Sequence, residues 1–370
     1  MKKLATAVIA LTAASALALS GCGGGRAADP AASAGSSAQA GAAGFAKDSL
    51  IGVSLPQKTS ENWVLAEQLF NDGLKGAGFK ADVQFANNGP AEQQNQIQAM
   101  VAKGAKVIII GAVDGSQLGT QAKAAKDAGA TVIAYDRLLT NTPAIDYYVA
   151  FDNFKVGVLQ GEALLKGLKE LKGAGPYNIE LIAGSPDDSN AKVFFNGAMS
   201  ILQPKIDDGT LKVVSGQKTF EQVVTQGWKA ENAQKRMDTI LSANYSGATV
   251  LHGILSPNDT LARAALTSVK AAGKEQPVVT GQDSEVESIK LIQAGGQYST
   301  IYKDTRKLVA QAIKMVQSLQ AGQKAEVNDE KQYNNGVKVV PSYLLAPVIV
   351  TKANVVETYK DDPILGKVVA

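Results

Sequence analysis

Two aspartates, Asp136 and Asp283, stand at the ends of short apolar runs of the kind that form buried strands. Their surroundings repeat: Asp114 lies 22 residues before Asp136, and Asp259 lies 24 residues before Asp283, with a helical pattern between each pair. Ligands of open α/β sheets bind outside the carboxyl ends of the strands. We therefore expect both carboxylates at ligand-facing edges, and two lobes that face each other would bring them into one cleft.

Carboxylates in such a cleft suit the recognition of hydroxyl groups. A sugar ring offers donors and acceptors around its edge, which charged side chains can satisfy, and an apolar C–H face, which an aromatic ring can cover. The chain has two tryptophans, Trp63 and Trp228, each near the start of a helix that follows a strand. Either tryptophan could instead pack in a hydrophobic core. The sequence favours a ligand role for Trp228 and leaves the two roles evenly balanced for Trp63.

Catalytic machinery is not indicated. The single histidine, His252, falls in a predicted buried strand without a cysteine or second histidine to join it, which favours a structural role. Asp187 and Asp188 could act as paired carboxylates, but a turn or helix cap is favoured. There is no G-x-S-x-G elbow, P-loop or H-E-x-x-H motif. We expect a protein that is not an enzyme and that has no cofactor and no metal site.

The elements that must position these residues alternate between strand and helix patterns. One series begins at Leu50 and ends at Tyr135, and a second begins near Phe154 and ends at Thr280. Alternation of this kind predicts parallel sheets with helices on both faces. The fold class predicted from the pattern is α/β, with two similar doubly wound parallel-sheet lobes.

The N-terminus has a different composition. Two lysines, an apolar run from Leu4 to Leu19 and the ending Leu19-Ser20-Gly21-Cys22 form a signal peptide whose end resembles the bacterial lipobox. Cys22, the only cysteine, would then carry a lipid; the alternative is an ordinary signal peptide with an incidental cysteine. The Gly/Ala/Ser-rich stretch that follows predicts a flexible tether. The net charge is +3 with dispersed basic residues, so no nucleic-acid partner is expected.

Seven stretches, in this order, resemble the periplasmic sugar-binding proteins of ATP-driven (ABC) importers, in particular the multiple-monosaccharide and xylose receptors: VIAYDR (132–137), YVAFDNFKVGVLQ (148–160), NIELIAGSPDDSNA (178–191), SPND (256–259), VVTGQD (278–283), YSTIYKDTR (298–306) and NNGVKVVPSYLL (334–345). The resemblance spans nearly all of the chain after the tether. It implies a type I periplasmic binding protein, with two lobes joined by a three-segment hinge that closes over the ligand.

The resemblance also implies the residues that contact the sugar: Asn62, Trp63, Asp136, Arg137, Asn190, Trp228, Asn258, Asp283 and Lys303. Among these, Trp228 would stack on the ring and Asn258 would contact the sugar, while Asp259 would cap the next helix. The relatives often carry Arg where this chain has Asn62, and the absence of this cation argues against a uronic acid as the ligand. Lys58 could supply a cation there, although a solvated lysine is favoured.

The same resemblance divides the chain. Crossings between lobes are expected near Asp152-Asn153, near Asp283-Ser284 and around 340–343. The resulting parts are a signal peptide (1–21), a lipidated tether (22–47), an N-terminal lobe (48–152 plus 284–340) and a C-terminal lobe (153–283 plus 341–370).

The predicted function is that of an extracytoplasmic protein, lipid-anchored to the cell membrane, that delivers a monosaccharide to an ABC permease. The ligand class is xylose, galactose, glucose or arabinose, and the sequence does not choose among them. We expect a monomer that meets the membrane only through its anchor. A receptor that presents its closed form to a sensor kinase is the alternative. A repressor would need an N-terminal helix-turn-helix in place of the tether.

Overall fold

The structure, a computed structural model, describes residues 44–58 and 60–370. The predicted signal peptide and Cys22 lie outside these residues. The strands are β1 (Leu50–Leu55), β2 (Lys80–Phe85), β3 (Val107–Ile110), β4 (Thr131–Tyr135), β5 (Tyr147–Phe151), β6 (Tyr177–Leu181), β7 (Leu211–Val213), β8 (Gly253–Leu255), β9 (Val278–Val279), β10 (Ser299–Tyr302), β11 (Ser342–Leu345) and β12 (Val348–Thr351).

The helices alternate with these strands through most of the chain. They are α1 (Glu61–Gly76), α2 (Pro90–Ala102), α3 (Gly119–Asp127), α4 (Asn153–Lys172), α5 (Ser189–Asp207), α6 (Phe220–Val223), α7 (Ala230–Asn244), α8 (Asp259–Ala271), α9 (Val286–Ala294), α10 (Thr305–Gln320), α11 (Val355–Tyr359) and α12 (Leu365–Val369). None of the helices in the described part of the chain is long and apolar enough to cross a membrane.

The first lobe is built on a six-stranded parallel sheet in the order β11-β5-β4-β3-β1-β2. Strand β3 lies inside this sheet, has the sequence VIII and is fully buried. Its alternate residues point to opposite faces of the sheet, and both faces are covered. Val107 and Ile109 pack with α1 and α10, while Ile108 and Ile110 pack in the cluster that contains α2 and α3. Helices on both faces therefore bury the inner strands of the sheet, while the edge strands β2 and β11 are partly exposed.

The second lobe is built on the parallel sheet β7-β6-β8-β9 and the antiparallel pair β10-β12. Two backbone hydrogen bonds, Tyr298 N to Val279 O and Asp283 N to Ile301 O, attach β10 to the β9 segment. Helices α4 and α5 approach closely over this sheet at Gly157 and Gly197. A Cβ on either glycine would overlap a backbone carbonyl oxygen of the facing helix. With this second sheet, the predicted α/β class with two parallel-sheet lobes is confirmed.

Strand pairing corrects the predicted lobe boundaries. Residues 284–302 were assigned to the first lobe, but β10 pairs with β12 and joins the β9 segment of the second lobe. Residues 341–345 were assigned to the second lobe, but β11 pairs with β5 in the six-stranded sheet. The second and third crossings therefore lie between β10 and α10 and between β11 and β12. The sequence of a short apolar strand indicates that the strand is buried, but it does not indicate which of two similar sheets the strand joins.

The predicted C-terminal end of the tether also needs correction. Phe45 N donates to Gln320 O at 3.2 Å, and Gln320 Nε2 donates back to Phe45 O at 3.0 Å. The Phe45 ring packs against Phe79 with centroids 6.2 Å apart. Residues 44–47, predicted as the end of the tether, therefore belong to the folded body. The backbone of Phe45 bonds to the end of α10, and its ring packs against Phe79 in the first lobe.

Candidate ligand-binding cleft

The nine residues that the sequence predicted for sugar contact all line one cleft between the two lobes. The first lobe contributes Trp63, Asp136 and Arg137, among others, and the second contributes Trp228 and Asp283. Residues that were not predicted from the sequence also line it: Ser60, Tyr135, Phe151, Asp188, Phe194, Thr260, Gln282, Thr305 and Leu308.

Three cleft residues have an unusual backbone conformation. Asp136, Trp228 and Asp283 have φ values of 58°, 55° and 94°, in the region that non-glycine residues rarely adopt. Hydrogen bonds hold two of them: Asp136 N donates to Val149 O at 2.8 Å and Asp283 N to Ile301 O at 3.0 Å. Such strain persists only where surrounding structure fixes it, and it concentrates at ligand sites. Here it turns both strand-end aspartates away from the regular path of their strands.

Buried charges face each other across the cleft. Lys303 Nζ lies 3.4 Å from Asp283 Oδ1 and 3.9 Å from Asp136 Oδ1, and its side chain is 10% exposed. Arg137 Nε lies 3.0 Å from Asp188 Oδ2 as an ion pair without the alignment of a hydrogen bond. The cleft thus holds three carboxylates and two cations. A neutral ligand with several hydroxyl groups fits this balance, whereas a further anion would add to a negative excess.

Burial and pairing shift the protonation of these groups. Burial raises the pKa of Asp283 above its ordinary value, although the Lys303 ammonium opposes this. Burial would lower the pKa of Lys303, but the carboxylates of Asp283 and Asp136 outweigh it and raise that pKa. Burial also raises the pKa of Asp188, against the effect of Arg137. The ammonium of Lys303 therefore stays charged at neutral pH, and the raised pKa values of Asp283 and Asp188 mean that these two carboxylates protonate more readily than exposed ones.

Asp188 has a larger role than the cap predicted from the sequence. Its side chain accepts from Asn190 N at 2.9 Å and caps α5, which confirms that prediction. The same carboxylate accepts from Trp228 Nε1 at 3.1 Å and pairs with Arg137 of the other lobe. It therefore connects the second-lobe tryptophan to the first lobe. No local sequence signal indicated this, because the partners are 40 or more residues away.

Aromatic rings form the apolar walls of the cleft. Trp63 packs edge-on against Tyr135, with the guanidinium of Arg137 5.4 Å from the centre of its ring. Trp228 packs from the second lobe against Gly184. Phe194, which sequence reasoning missed, lies on α5 with Lys303 Nζ 5.6 Å from its ring centre. Its helical spacing resembles that of any core residue, so no local pattern predicted a place in the cleft.

The three asparagines predicted to contact the sugar differ in how many of their side-chain amide atoms are already bonded to protein. Asn190 Nδ2 donates to Asp136 O at 2.9 Å, and its Oδ1 accepts from Asn153 Nδ2 at 2.9 Å. Asn62 is likewise bonded at both ends of its amide. Asn258 Oδ1 accepts from Leu261 N at 3.0 Å, while its Nδ2 has no hydrogen-bond partner among the described residues.

The predicted cap of helix α8 needs correction. Asp259 was expected to cap it, but Asn258 is the capping residue. Asp259 is instead fully buried, where it accepts from Gln297 Nε2 at 2.8 Å and Thr300 Oγ1 at 2.9 Å. Either of two adjacent Asx residues can cap a helix, and the sequence alone did not distinguish them. Because Asp259 does not cap the helix, its carboxylate can bond to Thr300 and connect α8 to β10.

Two further residues lie outside the cleft. His252 is half-buried just before β8, where its Nδ1 accepts from Asn178 N at 2.8 Å, and burial lowers its pKa. Lys58 pairs on the surface with Glu67 at 3.0 Å. The described residues contain no group of three or more His, Cys, Asp or Glu side chains placed to hold a metal ion.

Comparison with known proteins identifies the family. Residues 51–324 match the model of the periplasmic binding protein domain. The chain belongs to the periplasmic binding proteins. It is 48% identical to the multiple sugar-binding periplasmic receptor ChvE of Rhizobium radiobacter over 84% of this chain and 89% of that protein. It is 36% identical to the D-xylose-binding periplasmic protein of Escherichia coli K12, over 86% and 92% of the two chains.

A solved structure extends this family likeness to the arrangement of the lobes. An ABC transporter solute-binding protein of Clostridium phytofermentans with bound β-D-glucose matches with a TM-score of 0.82 and 41% identity. The match covers 85% of this chain and 97% of that one. The predicted resemblance to periplasmic sugar-binding proteins is thereby confirmed, and the family is one of binding proteins rather than enzymes.

Proposed function

We propose that this protein captures one neutral monosaccharide in the cleft between its lobes. The observation that supports the proposal is the meeting of Asp136, Arg137, Trp228, Asp283 and Lys303 in one buried cleft. These side chains offer charge-assisted hydrogen bonds to ring hydroxyls and an aromatic face for the C–H surface. All nine predicted residues are assigned to the site, with Asn62 and Asn190 in it through bonds to other residues of the cleft.

The charges of the cleft favour a neutral sugar over a uronic acid. The three carboxylates of the cleft already exceed its two cations, and Asn62 adds no positive charge. A sugar carboxylate would therefore enter a site of negative excess. D-Glucose and D-xylose are the first candidates, because a similar structure holds β-D-glucose and a similar protein is named for D-xylose.

The proposed role is delivery of this sugar to an ABC permease, by a monomer held outside the cytoplasm. The family and its named relatives support an extracytoplasmic position. The signal-peptide pattern and Cys22 support a lipid anchor. Replacement of Cys22 by serine tests the anchor: the wild-type protein is expected in the membrane fraction, and the Cys22→Ser variant in the soluble fraction. An equal distribution of the two would remove the anchor from the proposal.

A thermal-shift screen tests the ligand class. A ligand that binds only the folded state raises the melting temperature according to its excess over Kd. We expect D-glucose, D-xylose, D-galactose or L-arabinose at millimolar concentration to raise it, and D-glucuronate to raise it less. Asp283→Asn should abolish the shift, while Asp127→Asn, on the exposed face of α3, should keep it. A larger shift with glucuronate than with any neutral sugar would refute the charge argument.

A further inference from the structure

Asn62 lies at the start of α1 with both ends of its side-chain amide bonded to protein. Its Nδ2 donates to the backbone oxygen of Asp283 at 3.2 Å, and its Oδ1 accepts from Thr305 Oγ1 at 3.2 Å. Thr305 begins α10, which packs beside α1 in the first lobe, whereas Asp283 belongs to the second lobe. The amide therefore joins the lobes at the cleft, next to the carboxylate assigned to the sugar.

We propose that Asn62 is a positioning residue that stabilises the closed arrangement of the lobes and orients Asp283, and that it makes no hydrogen bond to the sugar. This inference rests on the proposed binding of a monosaccharide in the cleft.

The Asp283 segment shows why a bond at this point matters. Asp283 and Ser284 are consecutive residues with positive φ, 94° and 56°, a conformation that needs external support. Within the second lobe, Ser284 N donates to Thr300 Oγ1 at 3.2 Å, and Tyr359 OH donates to Ser284 Oγ at 2.6 Å. These bonds do not depend on the first lobe.

The bond from Asn62 to the Asp283 carbonyl differs because it forms only when the lobes meet. A second contact lies beside it: Val286 N donates to Glu61 Oε2 at 3.3 Å, again from the second lobe to the start of α1. The first turn of α1 thus holds the 283–286 segment at two points in the closed form. Loss of the Asn62 bond should favour opening and free the peptide that carries the Asp283 carboxylate.

The position of Asn62 predicts how its loss affects different sugars. A residue that changes only the population of the closed form changes the apparent Kd of every ligand of that form by one common factor. A residue that bonds to one hydroxyl affects sugars unequally, according to whether they carry that hydroxyl in the same position. D-Glucose and D-xylose differ only by one hydroxymethyl group, so this pair detects a bond to that group, and the Asn62→Asp variant, which keeps an acceptor oxygen, tests for a bond from a hydroxyl that both sugars carry.

The experiment compares Asn62→Ala and Asn62→Asp by calorimetric titration with both sugars. Loss of one or two hydrogen bonds predicts a roughly three- to tenfold rise in Kd, equal for both sugars within error. Asn62→Asp should bind no better than Asn62→Ala, because its carboxylate oxygen would face the Asp283 carbonyl oxygen. If Asn62 accepted a bond from a sugar hydroxyl, aspartate would preserve that acceptor and the affinity.

Controls separate this effect from folding and from added charge. Aspartate near a helix N-terminus is favourable, so Asn62→Asp should keep the wild-type melting temperature without sugar. Asn71→Asp places the same charge on the exposed side of α1 and should leave both Kd values unchanged. In stopped-flow fluorescence, the loss in Asn62→Ala should appear as faster dissociation of both sugars.

Different outcomes distinguish the inference from the proposed function. A loss confined to one of the two sugars, or wild-type affinity in Asn62→Asp, would overturn the role of Asn62 and leave sugar binding intact. Failure of the wild-type protein to bind any monosaccharide would overturn the proposed function, and the inference with it.

Discussion

Replacement of Gly184 by alanine should displace the tryptophan that forms one wall of the cleft. A Cβ at Gly184 would lie less than 3 Å from three atoms of the Trp228 ring, the farthest of them at 2.7 Å. Non-bonded carbon atoms prefer separations of about 3.5 Å, so the ring would have to move by about 1 Å or more. The backbone of Gly184 does not need glycine, because its φ lies outside the left-handed region.

The expected loss follows from what holds the ring. The Nε1–Asp188 bond, at 3.1 Å, restrains Trp228 on one side, so the displaced ring loses this bond or its alignment with the ligand. An aromatic contact contributes about 0.5–1.5 kcal/mol beyond its buried area. We expect sugar affinity to fall roughly two- to twelvefold. The free energy of unfolding should fall by about 1–3 kcal/mol, as is typical of overpacked sites.

Calorimetry and tryptophan fluorescence measure the two effects. The sugar-induced fluorescence change should shrink in Gly184→Ala, because Trp228 is one of only two tryptophans in the chain. Gly247→Ala is the matched control, since a Cβ there would meet no atom within 4 Å. Wild-type affinity together with an unchanged fluorescence response in Gly184→Ala would refute the stacking role of Trp228.

Three further predictions concern the polar groups. Asn258→Asp should keep the α8 cap, because aspartate also accepts from Leu261 N, yet weaken sugar binding in calorimetry about tenfold, through loss of the amide donor. Because burial raises the pKa of Asp283, sugar affinity should fall as the pH drops from 7, and at a higher pH than an exposed carboxylate with a pKa near 3.8 would cause; titrations between pH 7 and 4.5 measure this. Arg137→Gln should weaken binding at least tenfold, since it removes a donor and leaves the Asp188 carboxylate unpaired.

Each of these has a contrary result. An equal loss of stability in Asn258→Asp and Asn258→Ala would show that aspartate does not replace the cap. Affinity independent of pH down to 4.5 would mean that the ionised form of Asp283 is not required. Wild-type affinity in Arg137→Gln would place the guanidinium outside the binding contacts.

The sequence predicted the strand-end carboxylates well because their signal is local. Apolar runs followed by Asp136 and Asp283 identify the carboxyl ends of strands, and parallel α/β topology places such ends at ligand-facing edges. The structure brings both to one cleft, with Lys303 between them. This part of the site depends on patterns within a few residues of each aspartate.

Contacts between distant parts of the chain could not be predicted in the same way. The pairing of Arg137 with Asp188 depends on how the lobes meet, and no periodicity encodes that geometry. The lobe assignments of β10 and β11 were wrong for a related reason, because the apolar side chains of each strand would suit either of the two sheets. The hydrogen bonds of Asn62 to Asp283 and Thr305 could not be predicted either, because these partners lie 221 and 243 residues away along the chain.

We propose that the cleft binds one neutral monosaccharide through its charged groups. Calorimetric titration of the purified protein with D-glucose and D-xylose, alongside Asp283→Asn, tests it most directly. We expect saturable binding of at least one of these sugars, with one site per chain, and loss of that binding in the variant. Saturable binding that persists in Asp283→Asn, or no binding of either sugar by the wild-type protein, would contradict it.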